Sequence, residues 1–306
     1  MDARALPAAK ARRALRSLAA ATLGIALVSV ATAQGRATFS EGHLWRVSKA
    51  GIADSYVFGT IHVADPRIAS IPAPARDALA RTRLLAMELI PEAAADAALL
   101  DQESFDDGRR LAALLGADDY AKLRAELAAA RVPEPTIERM KPWAALLRIS
   151  QAPPSGETRS LDEQLFVAAR ARRMRITSLE WVDEQIAAFD TIPLESQVAL
   201  LKHVLAHREA VAGEARTAVD AWLRGDLAAL ARVDEHVDAL YPGMGVHYRQ
   251  LREHIIEGRT ALMHHRLFLP LRAGGVFVAV GASHLDGERG LLAMLEEDGF
   301  RVSRVW

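Results

Sequence analysis

Two histidines in this chain each follow a glycine by three positions, and each glycine closes a run of strand-forming residues. Tyr56-Val57-Phe58-Gly59 leads to His62, and Phe277-Val278-Ala279-Val280-Gly281 leads to His284, 222 positions further on. Two glutamates share the placement: Glu88 follows Leu84-Leu85-Ala86-Met87, and Glu180 follows Ile176-Thr177-Ser178-Leu179. If the four strands are parallel neighbours, all four groups open on one rim of a sheet, where open α/β sheets bind ligands. Gly59 and Gly281 let backbone approach closely or take a positive φ, as a compact site needs. Two imidazoles and two carboxylates suit a divalent transition metal such as Zn²⁺ or Mn²⁺. A metal there can bring the pKa of a bound water toward 7, with a spare carboxylate as general base. Without metal, a neutral histidine can abstract a proton while a glutamate orients it.

A single GxxH carries little information, because a histidine after a strand more often caps a helix or bonds backbone. Glu88 is harder to set aside: an unpaired carboxylate in an apolar strand is costly to bury, so it needs an arginine or a site. Arg259 and Met263, in the last long helical stretch, can reach the same rim, where an arginine can neutralise a carboxylate or hold an anionic group. Other candidates are weaker. The "HVLAH" stretch puts His203 and His207 on one helical face but has Val204 where an HExxH motif needs glutamate, and it reads as a solvated or partner-facing stripe. His264 and His265 are adjacent, so on a helix their rings diverge by about 100°.

The elements that must position these groups are legible in outline. "HLWRVSKAGIADSYVFGTIH" reads as two strands joined at Gly51, and "IPAPARDALARTR" as a helix with prolines at its entry. "LLAMELI" and "RITSLEW" read as short strands, and the chain ends strand–helix–strand through "GVFVAVGASH", "GERGLLAMLEEDG" and "FRVSRVW". Between them lie long helical stretches, with a Pro/Gly/Ser-rich loop at 152–160 and further breaks near 193, 213, 225 and 242–245. The expected fold is α/β: a central mixed sheet built from both chain ends, with a large helical insertion, or cap, over about 92–265.

Composition narrows the function. The 306 residues are 51% hydrophobic and 25% charged, ordinary for a globular chain. The net charge of −1 divides into +4 over residues 1–33 and −5 over the rest, and the acidic body argues against nucleic acid as a partner. Residues 1–33 read as a signal peptide: a basic stretch ending at Arg16, an apolar core of about 13 residues, then Ala31-x-Ala33 with cleavage after Ala33. That core is short for a span, which needs roughly 20 residues, so 34–306 is expected to be periplasmic or secreted, with no stable membrane span. The absence of cysteine excludes disulfides, a lipobox, thiolate metal ligands and a cysteine nucleophile.

With these residues in view, the chain resembles the TraB/GumN family, to which the Tiki membrane proteins are also similar. The likeness runs from "LWRVSKAGIADSYVFGTIHVADP" through "LLAMEL", "LDEQL", "ITSLEWVDEQIAAFDTIPLESQ", "AWLRGDL" and "EGRTALM" to the last strand. The paired GxxH motifs are that family's hallmark, with glutamates matching Glu88 and Glu180. The resemblance implies a fold like those of erythromycin esterase and the ChaN haem-binding proteins. It also implies metal-dependent proteolysis of the Tiki kind, with Mn²⁺ or Co²⁺. TraB members act on or against peptide pheromones, and GumN lies among exopolysaccharide genes. One departure stands out: Arg259-Thr260 occupies a position where Arg-Asn is frequent. The expectation is a metal-dependent hydrolase acting on a peptide or small molecule. His62 and His284 would be metal ligands, one of Glu88 and Glu180 the third ligand, and the other the base. A metal-free esterase-like hydrolase and a non-catalytic haem- or peptide-binding protein are the alternatives.

Overall fold

Strand pairing brings the two ends of the chain together. A computed structural model describes residues 39–63, 65–90, 102–150, 159–231 and 233–306, with the side chains of 231–236 excepted. The expected signal peptide, the first part of the helical stretch after 91 and most of the 152–160 loop lie outside the described residues. Six strands, β1 (Leu44–Lys49), β2 (Ile52–Thr60), β3 (Leu84–Met87), β4 (Arg175–Ser178), β5 (Val276–Gly281) and β6 (Arg301–Arg304), form one sheet in the order β4-β3-β5-β2-β1-β6. β1 runs antiparallel to both β2 and β6, while β2, β5, β3 and β4 are mutually parallel. The mixed sheet and the surrounding helices are the α/β arrangement expected from the sequence.

The parallel centre is apolar for a physical reason. β5 is buried at all six positions, as a strand covered on both faces must be. The β1–β2 hairpin turns at Gly51, whose φ of +77° is open to glycine at no steric cost. Helices Leu161–Ala171, Arg208–Arg224, Arg259–Ala273 and Leu291–Glu297 pack their apolar residues on the sheet. A second core, without strands, joins Ala117–Ala129, Pro142–Ser150, Leu194–Ala206 and Gly245–Arg252. The described helices between 102 and 258 thus divide between a layer on the sheet and a separate helical layer.

Three details depart from the sequence reading. Gly213, expected at a break, lies inside helix Arg208–Arg224, which ends at Gly225 in the left-handed region. The last helix begins at Leu291, because Gly287 at φ +89° interrupts the run before it. His203 is not on a solvated stripe: it is buried, edge-on to Tyr241 with centroids 4.5 Å apart and to Tyr248 at 5.9 Å. Ring packing across helices decided that position, and no i, i+4 pattern reports it.

Helix Arg208–Arg224 also holds a misplaced carboxyl group. Glu214 Oε2 is buried with no hydrogen-bond partner, and burial pushes its carboxyl up to about 7 from the ordinary 4.5. A raised folded-state pKa favours the protonated acid. Stability is therefore fully present below about pH 4.5 and is lost as pH rises through 7. Because the side chain is partly exposed, Glu214→Gln is expected to gain only about 1–2 kcal/mol at pH 8, and nothing near pH 4.5. Urea unfolding at the two pH values measures this; equal gaps at both would contradict it.

Candidate functional site

The parallel register puts the four strand ends on one rim. Thr60 pairs with Gly281, and Met87 lies beside both Ala279 and Ser178. The exits remain joined beyond the strands, with Glu180 N–H donating to Glu88 O at 2.9 Å. His62, Glu88, Glu180 and His284 therefore share one buried edge, and Glu180 and His284 are only 1% and 2% exposed.

Both GxxH glycines serve close approach and not a special backbone angle. A Cβ on Gly59 would come within 2.8 Å of Leu285 Cδ1 and 3.2 Å of Ala282 Cα, so the first turn lies directly against the second. Gly281 has φ −54° and ψ 136°, open to any residue. A Cβ there would sit 3.1 Å from His62 Nε2, 3.2 Å from Glu88 Oε1 and 3.6 Å from His284 Cδ2. The missing side chain leaves a small space bounded by the two imidazoles and one carboxylate.

Glu88 is the meeting point. Its Oε1 lies 3.5 Å from His62 Nε2 and 3.8 Å from His284 Nε2, and accepts the Gly281 N–H at 2.6 Å. Its Oε2 accepts from the Arg259 guanidinium at 2.7 Å. That guanidinium also grips Glu180 through two bonds, 2.9 and 2.7 Å, and donates to Ile255 O. Gln185 takes a further bond to Glu180 at 3.1 Å. Glu180 is thus committed to Arg259 and Gln185, and stands behind the arginine instead of beside the histidines.

Each imidazole is held by its other nitrogen. His62 Nδ1–H donates to Asp162 Oδ2 at 2.8 Å, and Asp162 Oδ1 accepts from Thr60 Oγ1 at 2.9 Å. Thr260 Oγ1 gives its single proton to Ile256 O at 2.6 Å, so His284 Nδ1 supplies the proton of their 2.7 Å contact. His284 Nε2 then keeps its lone pair toward Glu88. Bonds of this kind to the far ring nitrogen fix the tautomer and ring orientation that a metal ligand needs.

Arg259 and Thr260 are consecutive, yet one faces the glutamates and the other His284. The preceding segment, Glu253–Gly258, is π-helical, and such an insertion shifts the register of the following turn. Met263, one turn on, is fully buried in the sheet core.

Electrostatics separate the two histidines. Burial alone would lower His62, but the Asp162 and Glu88 carboxylates overcome it and raise its pKa to about 10. Burial lowers His284 to about 4 against the pull of Glu88, with Arg259 and His62 opposing its charge. Glu88 is held well below the usual carboxylate range: burial would raise it, and Arg259 and the histidines outweigh that. In this state the His62 Nε2 proton points into the space between the donors. Glu88 and Glu180 face the one guanidinium of Arg259, while Asp162 faces His62.

Asp162, and Thr260 as a partner of His284, extend the set beyond the site residues expected from sequence. Asp162 sits in the first turn of helix Leu161–Ala171, where an acid is already favoured by the helix dipole. Nothing in its type or position marks it out. Among the described residues no three His, Asp or Glu side chains stand as a preformed metal-holding group, and no helix is long and apolar enough to cross a membrane.

The model of the TraB/PrgY/gumN family matches residues 43–304, most of the chain, which belongs to that family. No curated protein and no solved structure matches it.

Proposed function

We propose that this member of the TraB/PrgY/gumN family is an exported, metal-dependent hydrolase of the peptidase type. One observation carries the reading: the two GxxH histidines turn their Nε2 atoms toward the same oxygen of Glu88 around the space left by Gly281. Ligands of a metal bound at about 2.1 Å in tetrahedral geometry stand roughly 3.4 Å apart, close to the 3.5 and 3.8 Å found. The donor set fits a divalent transition ion better than Mg²⁺ or Ca²⁺, because imidazole suits Mn²⁺, Co²⁺ and Zn²⁺. His62, His284 and Glu88 would hold it.

Such an ion, when bound, supplies Lewis acidity to a carbonyl and a water acidic near neutral pH. The chain's own residues do the rest. Asp162 keeps His62 Nδ1 protonated and its ring aimed, and Thr260 does the same for His284. Arg259 holds Glu88 ionised and fixed, with Glu180 and Gln185 locking the arginine in turn. This arrangement makes Glu180 a positioning residue. Thr260 takes over ring orientation at the position where asparagine is frequent, so the departure from Arg-Asn does not by itself remove the site.

The test is cleavage of a fluorogenic peptide mixture before and after exhaustive chelation. Loss of cleavage on chelation, restored by Mn²⁺, Co²⁺ or Zn²⁺ and absent in His62→Ala, is the expected result. Cleavage that survives chelation would replace this reading with metal-free acid–base catalysis by His62 between Asp162 and Glu88.

A further inference from the structure

A cavity of about 260 Å³ opens beside His284, with Thr260 also in its wall. The π-helical turn contributes Glu257, helix Gly245–Arg252 contributes Arg252, and the loop after His284 contributes Asp286 and Arg289. Two arginines against three carboxylates (Glu288, exposed at the rim, is the third) leave one negative charge in the lining. Both arginines are already spent. Arg289 binds Glu257 at 2.6 Å and Arg252 binds it at 3.3 Å. Asp286 is different: its Oδ1 is buried and has no hydrogen-bond partner. A buried carboxylate oxygen without a donor is costly unless something else supplies one.

We infer that this cavity is a recognition subsite for a substrate ammonium group, such as the free amino end of a peptide, received by Asp286. The inference rests on the peptidase-type reading of the adjoining centre and names its substrate class. Geometry supports the pairing. Asp286 lies two residues beyond His284, so their Cα atoms are at most about 7 Å apart. Both residues line the same cavity, so a group bound at Asp286 lies in the space that His284 also borders. Asp286 is a specificity residue in this scheme and takes no part in bond breaking.

The probes are trialanine with a free amine and N-acetyl-trialanine, titrated calorimetrically into the full chain. The free peptide is expected to bind about ten- to hundredfold more tightly than the acetylated one, as a charge-assisted hydrogen bond implies. Asp286→Asn should remove that preference while leaving the weaker binding of the acetylated peptide unchanged. Equal affinity of the two peptides, or no binding of either at millimolar concentration, overturns the inference without recourse to any variant. Hydrolysis is read separately. Amine-dependent binding without cleavage would fail the hydrolase reading alone, and cleavage indifferent to the amine and to Asp286 would fail this one alone.

Discussion

Gly281→Ala is expected to fold and to weaken divalent-cation binding by about 100-fold or more. The backbone at 281 is extended, with φ −54° and ψ 136°, so alanine meets no conformational penalty there. The Gly281 N–H that Glu88 accepts survives the change. The added methyl, however, would stand 3.1 Å from His62 Nε2 and 3.2 Å from Glu88 Oε1, in the space the donors surround. These atoms must yield by a few tenths of an ångström, in the direction that opens the site. Displacing the donor atoms themselves costs at least as much as removing the hydrogen bonds that orient them, which is commonly 10- to 100-fold. Thermal unfolding followed by circular dichroism, with calorimetric Mn²⁺ titration, separates the two effects. Unchanged affinity would show that the space plays no part in holding a cation.

Arg259→Ala is expected to do the reverse, costing the fold about 3–5 kcal/mol. The guanidinium is 5% exposed and bonds Glu88 and Glu180 together, and removing it leaves two carboxylates buried side by side. That is a large part of the 5–15 kcal/mol typical of a whole domain. Adding Glu180→Gln to this variant removes one of the stranded charges and is expected to recover part of the loss. Urea unfolding of the single and double variants measures both steps. A loss below about 1 kcal/mol for Arg259→Ala would mean that the carboxylates are not held as a charged pair around it.

These two expectations locate what sequence could and could not show. The strand–glycine–histidine units were readable because a run such as Phe277–Val280 has one plausible geometry, and glycine at its end has one common use. Glu88 was readable because a charge inside an apolar run demands a partner. Which partner was not: Arg259 stands 171 positions away, and only the register of β3 against β5 and the π-helical turn bring it in. Glu180 shows the limit from the other side. Its strand-end position placed it on the rim, but its bonds to Arg259 and Gln185 turn it away from the histidines. Asp162 was hidden by an ordinary explanation, since an acid in a first helical turn needs no other. Thr260 was visible only as a departure from a family pattern, and the His284 contact gives that departure a physical meaning. In the helical layer, His203 was misplaced because its environment is made by Tyr241 and Tyr248, on elements that no local period connects to it.

In the function proposed above, His62, Glu88 and His284 together hold one divalent cation. Its most direct test is the metal content of the purified chain after equilibration with Mn²⁺, Co²⁺ or Zn²⁺ and desalting, measured by plasma mass spectrometry beside His62→Ala and His284→Ala. Close to one ion per wild-type chain is expected for at least one of the three metals, and almost none in either variant. Full retention in both variants would contradict it.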